Sequence, residues 1–286
     1  TEASKFVFKA VLSIFLSVVF LPELTSMVMC CEDAVSLEDL YQAEINVLEQ
    51  LNYLNKELAD NLISINDIPL IFVRVRNPEQ FNSFTSRLKK EQAKLLCGFV
   101  FPKFYSSNGT QYLDRLNYLN GKFDTRLYGM PILEGREIAF KETRSSELLK
   151  LKKIINSFQD LILNIRVGGT DFSSIFGVRR GINSSIYDIH PVRDALSEIL
   201  NFFGRSEDEY TISGPVWEYF LAYKNDDLQA LMNRKLSKSL LTREPILNPA
   251  IDGLLREVVI DKTNGFVGKT VIHPSHLRYV NAMQAV

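Results

Sequence analysis

LILNIRVGGTDFSSIFGVRR, residues 161–180, is the stretch whose reading decides the fold. Residues 161–167 form a short apolar run rich in β-branched side chains, the mark of a buried strand. Gly168 and Gly169 end the run, and Asp171 follows at once. A carboxylate just beyond the C-terminal end of a buried strand is where α/β proteins place their chemistry. The competing reading gives Asp171 a purely structural task, the N-cap of the next turn or helix.

Outward from this stretch, similar runs recur. They are MVMCC at 27–31, LIFVRV at 70–75, GFVFPK at 98–103, RLYGMPIL at 126–133, YTISG at 210–214 and GKTVI at 268–272. Helical patterns lie between them. One follows a capping-box-like Ser36-Leu37-Glu38-Asp39, with Leu37, Leu40, Tyr41, Ile45, Leu48 and Leu51 on one face. Others cover 78–96, 145–158 and 192–203. Strands alternating with helices imply a parallel sheet covered on both faces. Polar residues closing each strand point to an α/β fold of the TIM (β/α)₈ barrel type, with its site in the loops. An open doubly wound sheet would carry a glycine-rich phosphate turn, but neither GxGxxG nor GxxxxGK[ST] occurs. With no internal repeat and no low-complexity linker, residues 1–286 read as a single barrel domain.

Composition bounds the function. The 286 residues are 46% hydrophobic and 23% charged, with a formal net charge of −1. That balance argues against nucleic acid or an anionic membrane as partner. Cys30, Cys31 and Cys97 form no CxxC pair, which suits a reduced, cytoplasmic setting. The apolar run AVLSIFLSVVFLP at 10–22 is shorter than the roughly 20 residues of a membrane span. No A-x-A-like site follows it, so a buried amphipathic helix is expected rather than a signal segment. The sequons at Asn108 and Asn183 read as ordinary loop residues.

The ends of the strands carry Glu32, Asp33, Arg74, Lys103, Glu134, Asp171 and His273. Glu134 and Asp171 end neighbouring strands, and two carboxylates with waters and substrate oxygens suit Mg²⁺. Arg74 stands in an apolar strand and needs a partner, either a substrate carboxylate or Glu32 or Asp33. Each residue also has a structural reading. Arg74 could be an ion pair under the rim, Lys103 could snorkel to solvent, and His273 before Pro274 is expected to orient a loop. Trp217 and Glu218 could wall a substrate or simply pack. Arg179 and Arg180 could bind an anion or stay solvated. No GxSxG elbow and no HExxH spacing exist.

Set side by side, these segments resemble the citrate lyase β-subunit-like group of the HpcH/HpaI aldolase superfamily. Cys31-Glu32-Asp33-Ala34-Val35 is similar to its LEDAV, and Val73-Arg74-Val75 with Asn77-Pro78 to its VRVNP. Val100-Phe101-Pro102-Lys103 resembles VLPK, Pro131-Ile132-Leu133-Glu134 stands at its IET glutamate, and Gly168-Gly169-Thr170-Asp171 resembles its GxxD loop. Asn264-Gly265-Phe266, Gly268-Lys269 and Ile272-His273-Pro274-Ser275 resemble its GFxGKxxIHPS ending. The long DFSSIFGVRR and SGPVWEYF stretches look closest to the C–C bond lyases of bacterial tellurium-resistance and stress gene clusters.

The resemblance implies a Mg²⁺-dependent lyase or aldolase that works through a metal-stabilised enolate on a keto acid or acyl-CoA. It places the metal on Glu134 and Asp171 and gives catalytic roles to Arg74, Glu32 and Asp33. Arg74, Lys103, Gly169 and Thr170 would meet the substrate, and the chain would form a homo-oligomer. Cys30, Arg76 and Gly135 depart from the family's residues and bear on CoA use. The alternative is a catalytically weak barrel serving as a binding or assembly subunit of a biosynthetic or stress-response complex. Seven strands are counted where a closed barrel has eight. The chain starts at Thr1 and stops at Val286, so it is expected to lack the family's first strand and the end of its C-terminal region.

Overall fold

The computed structural model describes residues 24–220 and 248–285, which fall into two compact units. The first unit comprises the described residues up to Leu133 together with Lys150–Asn164. In chain order it holds β1 (Ser26–Cys30), α1 (Leu40–Ala59), β2 (Leu70–Arg74), α2 (Pro78–Arg87), α3 (Lys90–Ala93), β3 (Leu96–Phe101), α4 (Gly109–Phe123) and β4 (Tyr128–Leu133). The second unit comprises Glu134–Leu149 and the described residues from Ile165 onward. It holds α5 (Arg136–Ala139), the start of α6 (Lys141–Ser157), β5 (Ile165–Val167), α7 (Gly169–Ile175), α8 (His190–Phe203), β6 (Ile212–Ser213), α9 (Pro249–Asn264) and α10 (Leu277–Gln284).

In the first unit β1 to β4 pair side by side in chain order, all parallel. Their side chains sort by the period of two. Phe72, Val100, Met130 and Ile132 pack together on one face. On the other face Phe99 and Phe101 meet Phe81 of α2 with ring centres 4.8 and 5.3 Å apart, and Phe101 stacks on Tyr112 of α4 at 4.5 Å. Apolar cover on both faces of β3 and β4 is why these two read as unbroken hydrophobic runs. α2 starts where Asn77 accepts the Gln80 backbone N–H and Pro78 takes the first helical position. In the second unit β5 pairs with β6 in parallel, and Gly214 bridges Lys269.

Several expected elements differ. The strand expected over 161–167 is β5 alone. Residues Gln159–Leu161 form a 3₁₀ turn, and Ile162 makes one bridge to Gly129. The strand expected over 268–272 reduces to the single bridge at Lys269, because Gly268 sits at φ +82° and the chain turns at His273-Pro274. α1 begins at Leu40, and Ser36 accepts the Asp39 N–H in a turn ahead of it. Leu37 and Tyr41, expected on its buried face, are 74% and 66% exposed. Glu44 takes the buried position instead, because Arg87 and the Gln80 amide satisfy its carboxylate. The apolar run at 10–22, and any strand before Leu24 that would close the barrel, lie outside the described residues. Among those described, no helix is long and apolar enough to cross a membrane.

Candidate active site

The loops after β1, β2 and β3 of the first unit gather the expected Glu32, Asp33, Arg74 and Lys103. Glu32 is buried and stands between two cations. One carboxylate oxygen lies 2.5 Å from the Arg74 guanidinium and the other 2.5 Å from Lys103 Nζ. Asp33 is exposed and lies 3.0 Å from the same Arg74 nitrogen. Arg74 therefore meets the two acidic neighbours foreseen as its candidate protein partners. Lys103 is held by Glu32 rather than left to snorkel. Burial alone would raise the Asp33 carboxyl, but the hydrogen bond with Glu32 and the charges of Arg74 and Lys103 outweigh it. The group stays below its ordinary range and ionised at neutral pH.

Arg76, at one of the departures from the family pattern, donates to the carbonyls of Glu32 at 2.9 Å and Val35 at 2.5 Å, clamping the loop that carries the acids. At another departure, Cys30 Sγ accepts the Glu32 N–H at 3.4 Å. Lys103 has φ +47°, a left-handed conformation uncommon for a residue with a side chain. Asn108 secures that bend, donating to the Lys103 carbonyl and accepting from the Tyr105 N–H. Strain of this kind gathers at functional loops. An open cleft of about 420 Å³ lies over these residues, lined by Glu32, Arg76, Asn77, Lys103, Tyr105 and Asn108 among others. The three cysteines are free. Burial, with Cys30 and Glu44 adding to it, pushes the Cys31 thiol up to about 12.

The second unit holds the expected Glu134 and Asp171. Glu134 follows β4 directly and is 3% exposed. Its carboxylate packs on Gly168, where a Cβ would come within 2.3 Å of Oε2. Gly168 is therefore required by close approach. Asp171 lies in the first turn of α7, with Gly168 as the N-cap residue, so the expected loop is in fact the start of a helix. Its side chain does not cap that helix. The positive end of the helix favours an anion there. Gly169 is buried, and the Thr170 hydroxyl donates to Glu218 at 2.8 Å. Among the described residues no group of three or more acidic, His or Cys side chains forms a metal cage. Two carboxylates suffice for Mg²⁺, which keeps several waters, so the donor set fits a hard cation.

Sequence reasoning missed a buried ionic cluster in this unit. Arg180, left open between anion binding and solvent, is buried and paired with Glu257. Lys269 Nζ lies 2.9 Å from Glu257 and 2.7 Å from Asp261, and Tyr187 donates to Asp261 at 2.5 Å. The findable signal was Glu257 and Asp261 four residues apart in the apolar run LLREVVID, which puts two carboxylates on one buried helix face. Trp217 packs with Leu254, Val258 and Val280 as core.

His273 takes the orienting part expected of it, with Nδ1 2.7 Å from the Ser275 hydroxyl. His276 is 1% exposed. Burial first, then the nearby His273, pushes its pKa down to about 4, against an opposing hydrogen bond with the Tyr219 backbone. A base depressed below its unfolded value of about 6.5 contributes stability that is present above pH 6.5 and lost as pH falls toward 4. The loss should reach about 3 kcal/mol. Denaturant unfolding of the parent and of His276→Gln between pH 7 and pH 4 checks it. The parent should lose stability more steeply, and equal slopes would refute the assignment.

Similarity to known proteins is clearest in the fold. The chain superposes on RipC from Yersinia pestis with a TM-score of 0.54 at 14% identity, covering 91% of this chain and 88% of that one. The citrate lyase beta subunit complexed with oxaloacetate and magnesium from M. tuberculosis gives 0.53 at 14%, covering 91% and 86%. The Haloferax volcanii malate synthase pyruvate/acetyl-CoA ternary complex gives 0.57 at 11%, covering 91% of this chain but 60% of that one. A search of curated proteins finds no match. The family model described as "C-C_Bond_Lyase of the TIM-Barrel fold" matches residues 14–286.

Proposed function

The chain belongs to the C–C bond lyase family of the TIM-barrel fold, and from that premise we propose that it makes or breaks a carbon–carbon bond next to a carbonyl, with Mg²⁺ held by Glu134 and Asp171. The observation that carries this reading is the close seat of the Glu134 carboxylate on Gly168, the residue that opens the turn bearing Asp171. Two acidic residues following successive strands, in one compact unit, offer the hard oxygen donors that Mg²⁺ takes. A keto acid or an acyl thioester is the proposed substrate. Oxaloacetate with magnesium in one structural neighbour, and pyruvate with acetyl-CoA in another, support that class.

The ion, when bound, supplies a Lewis acid that polarises the substrate carbonyl. Within the first unit, taken by itself, four residues form a carboxylate-binding set. Arg74 presents a planar fork suited to a carboxylate, and Lys103 adds a second positive charge. Glu32 is buried between them and fixes both in place. Asp33 is 60% exposed and occupies Arg74 from the solvent side, so it is the partner an arriving carboxylate displaces. Titration calorimetry with Mg²⁺, then with oxaloacetate or pyruvate, tests the reading. Heat in both steps is expected. Silence in both would leave the barrel a binding or assembly subunit.

Arg74→Lys should weaken keto-acid binding about 10-fold, the cost of roughly one charge-assisted hydrogen bond. Its melting temperature should stay close to that of the parent. A variant that melts far earlier yet binds the keto acid normally would show that Arg74 is a structural ion pair.

A further inference from the structure

The turn that carries Asp171 is held on two sides. Sterically, Gly168 lies against Glu134. A Cβ at Gly169 would come within 2.9 Å of Pro215 and 3.1 Å of Ile186, so the backbone has no room to shift that way. On the polar side, Thr170 gives its hydroxyl to Glu218 Oε1 at 2.8 Å.

Glu218 is itself anchored. Its second oxygen lies 3.5 Å from Arg180 Nε, within ion-pair distance, although that nitrogen makes no aligned hydrogen bond. The contact is therefore charge attraction rather than a directed bond. Arg180 has little freedom. Its other nitrogens go to the Glu257 carboxylate and the Val216 carbonyl, and its guanidinium lies 4.7 Å over the Trp217 ring. Glu257 is fixed in turn by Lys269, by the Ser185 hydroxyl at 3.1 Å and by the Ile186 N–H at 3.0 Å. Burial raises the Glu257 carboxyl, but Lys269 and Arg180 outweigh it and keep the group ionised.

A buried ionic network contributes little net stability compared with apolar packing of the same volume. What it does provide is a set of charges with one geometry. Here one end of the network reaches the residue next to Asp171. We propose that Glu218 is a positioning residue: anchored by Arg180, it takes the Thr170 hydroxyl and fixes the turn that presents Asp171 to the metal. The proposal rests on the reading of Asp171 as a Mg²⁺ ligand. Partners outside the coordination shell that orient a ligand typically govern affinity 10- to 100-fold.

The test uses the full chain with Thr170→Val, Glu218→Ala, the double variant, and Glu218→Gln as the conservative change that keeps an acceptor for Thr170. Mg²⁺ affinity is read by calorimetry, and amide hydrogen exchange over 169–173 is read without metal. Thr170→Val and Glu218→Ala should each weaken Mg²⁺ about 10-fold. The double variant should be no weaker than the worse single one, as expected for one shared interaction. Glu218→Gln keeps the acceptor for Thr170 but gives up the charge that holds residue 218 to Arg180, so it should fall between the parent and Glu218→Ala. Exchange across the turn should speed up in both single variants. Thr170→Val leaves Arg180 untouched, so it answers even if Glu218→Ala folds poorly. A parent that binds no Mg²⁺ sinks the reading beneath the proposal. Unchanged exchange and affinity in Thr170→Val, with the parent binding Mg²⁺, sinks the anchor alone. Additive losses in the double variant would also overturn it.

Discussion

Glu134→Gln and Asp171→Asn should each weaken Mg²⁺ binding by more than about 100-fold, since losing even an outer partner of a ligand costs about 10- to 100-fold. Mg²⁺ demands near-ideal octahedral geometry and charged oxygen donors, so an amide in place of a carboxylate cannot be absorbed by rearrangement. The fold should survive both changes. Glutamine keeps the shape of Glu134 on Gly168, where the packing is tight. Asparagine at 171 gives up only the attraction between a carboxylate and the start of α7, about 0.5 kcal/mol, or about 2 °C in melting temperature. Calorimetry on the two variants decides. If either binds Mg²⁺ like the parent, the metal assignment is wrong.

The parallel strands of the first unit were legible because their chemistry is redundant. The middle of LIFVR and all of YGMPIL after Tyr128 are buried, so successive residues of each run report the same environment. Asn77-Pro78 marked the start of α2 for an equally local reason, a side-chain cap followed by a ring that fits the first helical turn. The strands of the second unit were overestimated in length. β5 and β6 are three and two residues long; Leu161 is buried in a 3₁₀ turn, Val271 packs on the Trp217 cluster, and Ile272 is 55% exposed. The face of α1 was misplaced because Glu44 is charged. Its burial depends on Arg87, more than forty residues away, which no local periodicity reveals.

The site follows the same division. Glu32, Asp33, Arg74 and Lys103 were readable because each closes a strand, and a charge at that place needs a partner. The structure brings them together across three successive strands. The links from Glu218 to Thr170 and to Arg180 were not readable. Their meaning lies in distances between 170, 180 and 218, positions far apart in sequence. Arg180 shows the difficulty most directly. Next to Arg179 it could equally be an anion binder or a solvated charge, and in the fold it is 4% exposed.

Lys269→Met should cost about 3–5 kcal/mol at pH 7, the usual penalty for removing one partner of a buried pair. The Lys269 side chain is fully buried between Glu257 and Asp261, so methionine fills most of its volume but leaves two carboxylates short of a counter-ion. Glu257 keeps Arg180. Asp261 keeps only the Tyr187 hydroxyl among the contacts described for it. Burial already holds the Asp261 carboxyl above its ordinary range despite Lys269 beside it. The penalty therefore has a definite pH dependence. Without the lysine the folded pKa of Asp261 rises further, and a carboxyl raised on folding is destabilising above its folded pKa and not below its unfolded one. Glu257, held low by Lys269 and Arg180 against its burial, contributes stability above its unfolded pKa, and the variant forfeits part of that. Both effects make the deficit smaller at pH 4.5 than at pH 7. Adding Asp261→Leu to the variant should recover part of the loss by removing the stranded charge. Denaturant unfolding at the two pH values, on the parent, the single and the double variant, measures all three. A single variant within about 1 kcal/mol of the parent at pH 7 would mean that water reaches these groups, as would a deficit independent of pH, and the network would then not be the buried anchor described.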